Sequence, residues 1–175
     1  MEELIELAKN GDQEAFTKLI ISMKNELYGV ARTRLKSADD IDDAIQETMI
    51  IAFNRLNTLQ ENKFYKTWLV KILINECNHI YRKQRLKEIL GFEDIATYEE
   101  VLTKEVIDEK ISDMNFEELI KKLTYEEQII LKLFYKNEYT TREISFVLNK
   151  NENTVKTTLR RAKEKIKHNY AGGDK

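Results

Sequence analysis

The sequence predicts an all-α protein with two helical domains, a three- or four-helix bundle and a helix-turn-helix, joined by an acidic linker. First, the chain has no proline and only 5 glycines in 175 residues, although average usage of roughly 5% would give about nine prolines. Second, apolar residues recur at spacings of three and four over long stretches, which is the period of an amphipathic helix. Third, two Thr-x-x-Glu sequences mark helix starts in the second half of the chain.

The first predicted domain, residues 1–88, contains one short helix and three long ones. The short helix covers residues 2–8, and Asp12 can cap a second helix over residues 13–36. Ser37 precedes a third helix, and a polar loop over residues 57–63 separates it from a fourth over residues 65–86. The inward positions of the long helices are Phe16, Leu19, Ile20, Met23, Leu27, Val30, Ala31, Ile41, Ala44, Ile45, Thr48, Met49, Ala52, Phe53, Leu56, Trp68, Leu69, Ile72, Leu73 and Cys77. These helices are expected to pack as one bundle.

Charge separates the rest of the chain into an acidic linker, residues 89–113, and a smaller domain, residues 114–175. The linker holds eight acidic residues and two lysines, whereas residues 150–168 hold seven lysines and arginines and two glutamates. The net charge of −2 therefore hides separate acidic and basic surfaces, which implies more than one kind of partner. In the smaller domain, Thr124 and Thr140 each precede a glutamate by three residues, so helices are expected to start at the next residue in both cases.

The last predicted helix carries an apolar stripe beside a cationic row. The stripe is Val155, Leu159, Ala162 and Ile166, and the row is Lys156, Arg160, Lys163 and Lys167. A capped helix and a three-residue turn, in which Asn151 can cap the last helix, precede it, as in a helix-turn-helix that binds DNA. The candidate DNA-contacting residues are Thr154, Lys156, Thr157, Arg160 and Arg161. The alternative is an ordinary solvated amphipathic helix.

A second candidate DNA surface follows the polar loop. Residues 64–85 combine aromatic side chains, asparagines and a basic tail, which supply base stacking, base-edge hydrogen bonds and backbone neutralisation for single-stranded DNA. The residues that share one helical face there are Lys71, Asn75, Asn78 and Arg82. The alternative places Trp68 and Tyr81 in the core.

Acidic residues cluster at the start of the third helix, at positions 39, 40, 42 and 43. They are distributed around a helix start, where the helix dipole favours carboxylates, so a metal site is not expected. Asp43, Gln46 and Glu47 share a face that suits docking onto a basic protein surface. No phosphate-binding loop, dinucleotide fingerprint or catalytic pattern occurs, so neither catalysis nor a cofactor is expected.

The single cysteine and the absence of long apolar runs indicate the cellular compartment in which the protein works. Cys77 has no partner for a disulfide, which fits a reducing interior, and it is expected to be a small buried apolar residue. No apolar run approaches the roughly 18 residues of a membrane span, and the start of the chain lacks a signal-peptide pattern. A cytoplasmic protein without direct membrane insertion is expected.

Several short segments occur in a characteristic order along the chain. They are DAIQET at 43–48 before Ala52-Phe53, KTWLVKI at 66–72 before Asn75, RKQR at 82–85, LTYE at 123–126, Glu143-Ile144 and TVKTTLRRA at 154–162. In order and spacing these segments resemble the signatures of bacterial extracytoplasmic-function sigma factors of the sigma-70 family, from about residue 12 to residue 167. The resemblance implies that residues 1–88 are sigma domain 2 and residues 114–175 are sigma domain 4. The turn at residues 149–153 lacks the glycine that is common in this family.

The resemblance also implies roles for individual residues. Asp43, Gln46 and Glu47 would bind the β′ clamp helices of core RNA polymerase, and the β flap would be a further contact of the polymerase. The residues that would melt and bind the promoter −10 element are Lys63, Tyr65, Lys66, Trp68, Lys71, Asn75, Asn78 and Arg82. The residues that would bind the −35 element are Thr154, Lys156, Thr157, Arg160 and Arg161. We refer to them as the −10 set and the −35 set.

The resemblance predicts an alternative sigma factor that directs RNA polymerase to specific promoters, in an envelope-stress regulon and under the control of an anti-sigma factor. The acidic linker would pass through polymerase toward the RNA exit path. A different hypothesis is a stand-alone helix-turn-helix regulator with an N-terminal sensing bundle. An enzyme such as a recombinase is a third, but the chain lacks a nucleophile and metal ligands at suitable spacing.

Overall fold

A computed structural model describes residues 1–89 and 116–171, and the regular secondary structure of both ranges is helical throughout. The all-α prediction is therefore confirmed. The chain divides into two compact units, of which the first contains residues 1–89 and 146–148 and the second contains residues 116–145 and 149–171. The predicted linker lies outside the described residues except for Ile89, so the predicted domain boundaries stay a prediction.

The first unit contains four helices, α1 (Glu2–Lys9), α2 (Gln13–Ala31), α3 (Ala38–Arg55) and α4 (Tyr65–Ile89). Gly11 turns the chain between α1 and α2 with φ of +94°, a backbone conformation that glycine adopts without a Cβ clash. Asp12 caps α2 as predicted, since its Oδ1 accepts from the backbone N–H groups of Glu14 at 2.9 Å and Ala15 at 3.0 Å.

Helices α2, α3 and α4 pack against one another around the core of the first unit. The fully buried side chains include Leu19, Leu27, Ala44, Ala52, Leu69, Leu73 and Cys77. Thr48, the polar residue among the predicted inward positions, is also fully buried, and its hydroxyl donates to the carbonyl of Ala44 at 2.7 Å. This bond satisfies the only polar group of the side chain, so the predicted inward face of α3 can include it.

Two details of the first unit differ from the sequence prediction. Helix α2 ends at Ala31, five residues before the predicted end, because the chain enters a turn that buries Leu35. Lysine and arginine at positions 32–36 favour a helix locally, so the sequence carries no signal for this turn. Phe53, predicted to face inward, is 49% exposed and instead contacts the edge of Phe16 with 5.2 Å between ring centroids.

The segment between α3 and α4, residues 56–64, is called the α3–α4 loop here. It contains two 3₁₀ turns, Leu56–Thr58 and Asn62–Phe64. Leu56 and Leu59 are buried, whereas Lys63 and Phe64 are exposed at the end of the loop. The predicted polar loop is thus anchored by two leucines and presents a cation and an aromatic ring to solvent.

The described chain after residue 115 contains helical residues 116–120 and the helices α5 (Tyr125–Tyr135), α6 (Thr141–Leu148) and α7 (Glu152–Ala171). Both capping boxes are present. The backbone N–H of Thr124 donates to Glu127 Oε2 at 3.0 Å, and that of Thr140 donates to Glu143 Oε2 at 2.8 Å. The reciprocal bonds to the threonine hydroxyls are 3.4 Å and 3.2 Å long, so both helices begin where the sequence predicts.

Glu127 does more than cap a helix. Its side chain is buried, and its Oε1 accepts from Lys165 Nζ at 2.7 Å, which joins α5 to α7. Burial disfavours the charged carboxylate, but the bonds from Lys165 and Thr124 outweigh this effect, so the pKa of Glu127 lies below its usual value. Among the helices of the described ranges, none combines the length and apolar character needed to cross a bilayer.

Candidate nucleic-acid interface

The turn between α6 and α7 is built by asparagines. Asn149 has φ of +52°, and the N–H of Lys150 donates to the carbonyl of Ser145 at 2.9 Å, which is the closing bond of a Schellman motif. Asparagine is the residue that most readily replaces glycine in this conformation. Asn151 then caps α7 as predicted, because its Oδ1 accepts from the N–H of Asn153 at 2.8 Å. The missing family glycine therefore leaves the helix-turn-helix intact.

Helix α7 buries its apolar stripe and exposes most of the −35 set. Val155 and Ala162 are fully buried and Leu159 is 6% exposed, whereas Ile166 is partly buried. The exposed members of the −35 set are Thr154, Lys156, Arg160 and Arg161, and Thr157 is partly exposed. Helix periodicity thus separates the residues that hold α7 from those that can reach a polyanion.

Two cations of the −35 set form ion pairs with glutamates of their own helix. Lys156 Nζ lies 2.8 Å from Glu152 Oε1, and Arg160 Nη1 lies 2.6 Å from Glu164 Oε1. Both pairs are substantially exposed, so each is a weak interaction that exchanges readily for a phosphate. Glu152 also accepts from the hydroxyl of Thr141 at 2.9 Å, and the bonds from Lys156 and Thr141 lower the pKa of this carboxyl.

Lys163, the third member of the cationic row, has different neighbours. Its Nζ lies 5.2 Å from the ring centroids of both Phe134 and Tyr135, within the range of cation–π attraction. The cations of the row are evenly spaced in the sequence but have unequal surroundings in the structure. In the contacts described here, Lys156 and Arg160 are the two that pair only with carboxylates of α7.

The −10 set lies mainly on the exposed side of α4 and on the α3–α4 loop. Lys63, Lys66, Asn75 and Arg82 are exposed, and Trp68, Lys71 and Asn78 are partly exposed. Lys66 Nζ lies 3.1 Å from Glu26 of α2, and Lys63 Nζ lies 2.6 Å from Glu61. The side-chain oxygen of Asn78 accepts a hydrogen bond from the guanidinium of Arg34, and the backbone carbonyl of Asn78 accepts from Arg82 Nε at 3.1 Å. The amide of Asn78 is thus oriented by a residue 44 positions away.

Tyr65 is the one member of the −10 set that the structure places in the core. It is 1% exposed, its ring packs beside Trp68 with 6.3 Å between centroids, and burial raises the pKa of its hydroxyl. A ring enclosed in this way has no face on which a base could stack. Tyr65 begins α4, and its spacing from the other residues of the set does not reveal that it points inward.

Two carboxylates at the acidic start of α3 accept hydrogen bonds from other helices of the first unit. Asp42 accepts from the hydroxyl of Tyr28, and Asp40 Oδ2 accepts from the amide of Gln84 at 2.6 Å. Asp43, Gln46 and Glu47 are exposed on α3. In the described residues no group of three or more His, Cys, Asp or Glu side chains is arranged to hold a metal ion. This side of α3 is therefore exposed and acidic.

Cys77 is enclosed in the bundle, as predicted for a small apolar residue. It is fully buried, and burial raises the pKa of its thiol to about 12, although the nearby Arg34 opposes the shift. The nucleophilic thiolate is therefore scarce at neutral pH.

Several structural contacts lie outside what the sequence pattern predicts. Lys9, Glu26 and Arg34 each contact a member of the α3–α4 loop or of the −10 set. Each contact joins residues at least 40 positions apart in the chain. Helical periodicity describes neighbours within two turns, so it carries no signal for such pairs.

Comparisons with known proteins agree with this architecture. The family model described as Sigma-70 region 2 matches residues 19–87, and that described as Sigma-70, region 4 matches residues 113–166. The chain is 26% identical over 174 residues to ECF RNA polymerase sigma factor SigW of Bacillus subtilis, covering 93% of this chain and 92% of SigW. It is 30% identical over 143 residues to RNA polymerase sigma factor SigV of Bacillus subtilis, covering 82% and 83% of the two chains.

A solved structure shares the fold. Sigma factor RpoE, in a co-crystal with the anti-sigma factor NepR from Bartonella quintana, matches with a TM-score of 0.67. The match covers 90% of this chain and 98% of that chain at 17% identity. The region 2 match covers most of the N-terminal bundle, which the hypothesis of a stand-alone regulator interprets as a sensing domain. The chain belongs to the extracytoplasmic-function group of the sigma-70 family and is an alternative sigma factor that directs RNA polymerase to specific promoters.

Proposed function

We propose that the −35 set binds the promoter −35 element as duplex DNA. The observation that carries this proposal is the division of α7, in which Val155 and Leu159 are buried while Lys156, Arg160 and Arg161 are exposed. Lysine and arginine neutralise phosphates or approach base edges, and threonine can contact either. The Schellman turn and the Asn151 cap hold α7 at a defined orientation to α6, which is what a recognition helix requires.

The exposed part of α4 and the α3–α4 loop are proposed to bind the −10 element and to stabilise its melted form. Unstacking a base costs a few kcal/mol, so a protein that melts DNA must offer new partners to the base. The exposed cations Lys63, Lys66 and Arg82 supply backbone neutralisation, and Asn75 and Asn78 supply base-edge hydrogen bonds. Trp68 remains a partly exposed stacking candidate, whereas the buried Tyr65 is left out of this proposal.

Asp43, Gln46 and Glu47 are proposed to dock α3 onto the β′ clamp helices of core RNA polymerase. Asp40 and Asp42 are engaged inside the unit by Gln84 and Tyr28, so the outer carboxylates remain for a partner. Exposed acidic residues beside an amide suit a basic helical surface through steering and hydrogen bonding. The β flap is proposed as a second polymerase contact.

The wider role is proposed as follows. The chain acts without catalysing a reaction and without a cofactor, as a transcription initiation factor that works in the cytoplasm with polymerase. An anti-sigma factor is proposed to control it, supported by the shared fold with RpoE, which was solved with the anti-sigma factor NepR. Membership of the extracytoplasmic-function group supports an envelope-stress regulon.

The proposed surfaces are separable by experiment. Lys156→Ala should lower transcription from a cognate promoter while leaving association with core polymerase unchanged, because Lys156 lies on α7 and not on α3. Glu47→Lys should abolish association with core polymerase, and promoter-specific transcription should be lost with it. The measurements are capture of core polymerase by the tagged full chain and run-off transcription from candidate promoters. Equal effects of both variants on both measurements would contradict the division of labour.

A further inference from the structure

The α3–α4 loop is held by side chains of α1. Lys9 Nζ donates to the carbonyl of Leu59 and to Asn62 Oδ1, both at 2.8 Å. The amide of Asn62 donates to Glu6 Oε1, and Lys9 Nζ lies 3.9 Å from the same oxygen. These contacts close a ring between one turn of α1 and the loop, which we call the Lys9 network.

The Lys9 network is largely shielded from solvent, and Lys9 lies on a helix that buried residues hold in place. The side chain of Lys9 is only 16% exposed, and Ile5 and Ala8 on the same helix are 1% and 9% exposed. Buried apolar residues therefore fix α1 against the bundle, and the ammonium group lies at the end of this fixed support. Leu59 has an extended backbone between the two 3₁₀ turns, and its carbonyl accepts from Lys9, which lies outside the loop.

The residues that follow the network face solvent. Lys63 and Phe64 come directly after Asn62, Phe64 is 49% exposed, and Lys63 Nζ lies 4.9 Å from the centroid of its ring. A cation beside an exposed aromatic ring offers both backbone neutralisation and stacking to an unpaired nucleotide. A loop that is ordered before it binds loses less conformational entropy when it captures a base.

We infer that Lys9 is a positioning residue for promoter melting, because it sets the conformation in which the α3–α4 loop presents Lys63 and Phe64 to the −10 strand. The inference rests on the proposed function of the loop. Helix α1 lies outside residues 19–87, which match Sigma-70 region 2, whereas the loop lies inside them. The network thus couples a segment outside the matched region to a surface within it.

The test uses the full chain assembled with core polymerase. The probe is a labelled promoter fragment with a duplex −35 element and a single-stranded non-template −10 region. Lys9→Met keeps most of the apolar stem and removes the three donors, whereas Lys18→Met is the matched control, since Lys18 is exposed on α2 and paired only with Glu14 at 2.8 Å in the contacts described here. Lys9→Met should bind about ten-fold more weakly, which is about 1.4 kcal/mol, and Lys18→Met should bind as the unaltered chain does.

A second measurement separates positioning from general destabilisation. Lys9→Met should also reduce the ratio of affinities for the cognate and a base-substituted −10 strand, while binding to a duplex −35 probe stays unchanged. Lys9→Arg, which restores a cationic donor, should recover most of this ratio. Binding by Lys9→Met that equals that of Lys18→Met, with an unchanged ratio, would overturn the inference.

Failure of the inference is distinguishable from failure of the proposed function. If Lys63→Ala and Phe64→Ala weaken binding to the single strand but Lys9→Met does not, positioning by Lys9 is wrong. If none of the three variants weakens binding, the proposed function of the loop is wrong and the inference falls with it.

Hydrogen exchange tests the network without polymerase or DNA. Amides of residues 57–64 should exchange faster in Lys9→Met than in the unaltered chain, while those of α2 to α4 should not change. Glu6 is 59% exposed, so Glu6→Ala should fold and should show a smaller acceleration in the same residues. Unchanged loop exchange in both variants, or in Glu6→Ala if Lys9→Met does not fold, would overturn the inference.

Discussion

The ion pair between Arg160 and Glu164 predicts that a glutamate restrains the affinity for the −35 element. The two side chains are 64% and 60% exposed, with 2.6 Å between Arg160 Nη1 and Glu164 Oε1. An exposed pair at this helical spacing contributes about 0.3–0.5 kcal/mol, which must be given up before Arg160 contacts DNA. Glu164→Gln should therefore tighten binding to a −35 duplex by about two-fold, since 1.4 kcal/mol corresponds to ten-fold.

Arg160→Ala should act in the opposite direction. A phosphate contact that is lost reduces the slope of log affinity against log salt by about 0.9. A base contact that is lost costs about 1–3 kcal/mol and relaxes sequence preference at one position. Because the ion pair is the proposed reason for the gain in Glu164→Gln, this gain should shrink when Arg160→Ala is already present.

The assay is fluorescence anisotropy of a labelled −35 duplex with the polymerase-bound full chain at several salt concentrations. The matched control is Glu14→Gln, since Glu14 forms an exposed pair at the same helical spacing with Lys18 on α2. Glu14→Gln changes the net charge of the chain by the same amount as Glu164→Gln, but it lies on α2 and leaves α7 unchanged. An equal gain from Glu14→Gln, or a full gain from Glu164→Gln beside Arg160→Ala, would refute the proposed exchange of partners.

Two further predictions concern buried titratable groups. The pKa of Glu127 is lowered in the folded chain, so the stability that this carboxylate contributes is present above the ordinary pKa of about 4.5 and is lost as pH falls through the lower folded value. Urea unfolding followed by circular dichroism should show this loss of stability. A Glu127→Gln variant with the same acid dependence would contradict the prediction. Burial raises the pKa of Cys77 to about 12, so a thiol reagent at about pH 8 should find on the order of one thiolate in ten thousand molecules. Labelling should therefore follow unfolding of the bundle, and rapid stoichiometric labelling of the folded chain would count against the buried site.

Features that depend on neighbours within one or two helical turns were predictable from the chain alone. The Thr124 and Thr140 caps each join residues three positions apart, so sequence spacing specifies them. The buried stripe of α7 follows from the same periodicity, because successive turns of a helix place these residues on one side. The order of the sigma signatures also identified the family that the comparisons show.

Features that depend on contacts between distant segments required the tertiary structure. Phe53 and Tyr65 both occupy regular helical positions, yet Phe53 is exposed and Tyr65 is enclosed, because neighbouring helices decide which side is covered. The bond between Arg34 and Asn78 joins positions separated by 44 residues, and local spacing says nothing about it.

The sequence by itself therefore determined the all-α class, the caps of α2, α5, α6 and α7, the family and which face of α7 is exposed. Only the tertiary structure decided that Lys9 supports the α3–α4 loop and that Glu127 joins α5 to α7 through Lys165. The physical reason is that helix formation and capping act within about four residues, whereas burial and the pairing of charges depend on which surfaces the fold brings together.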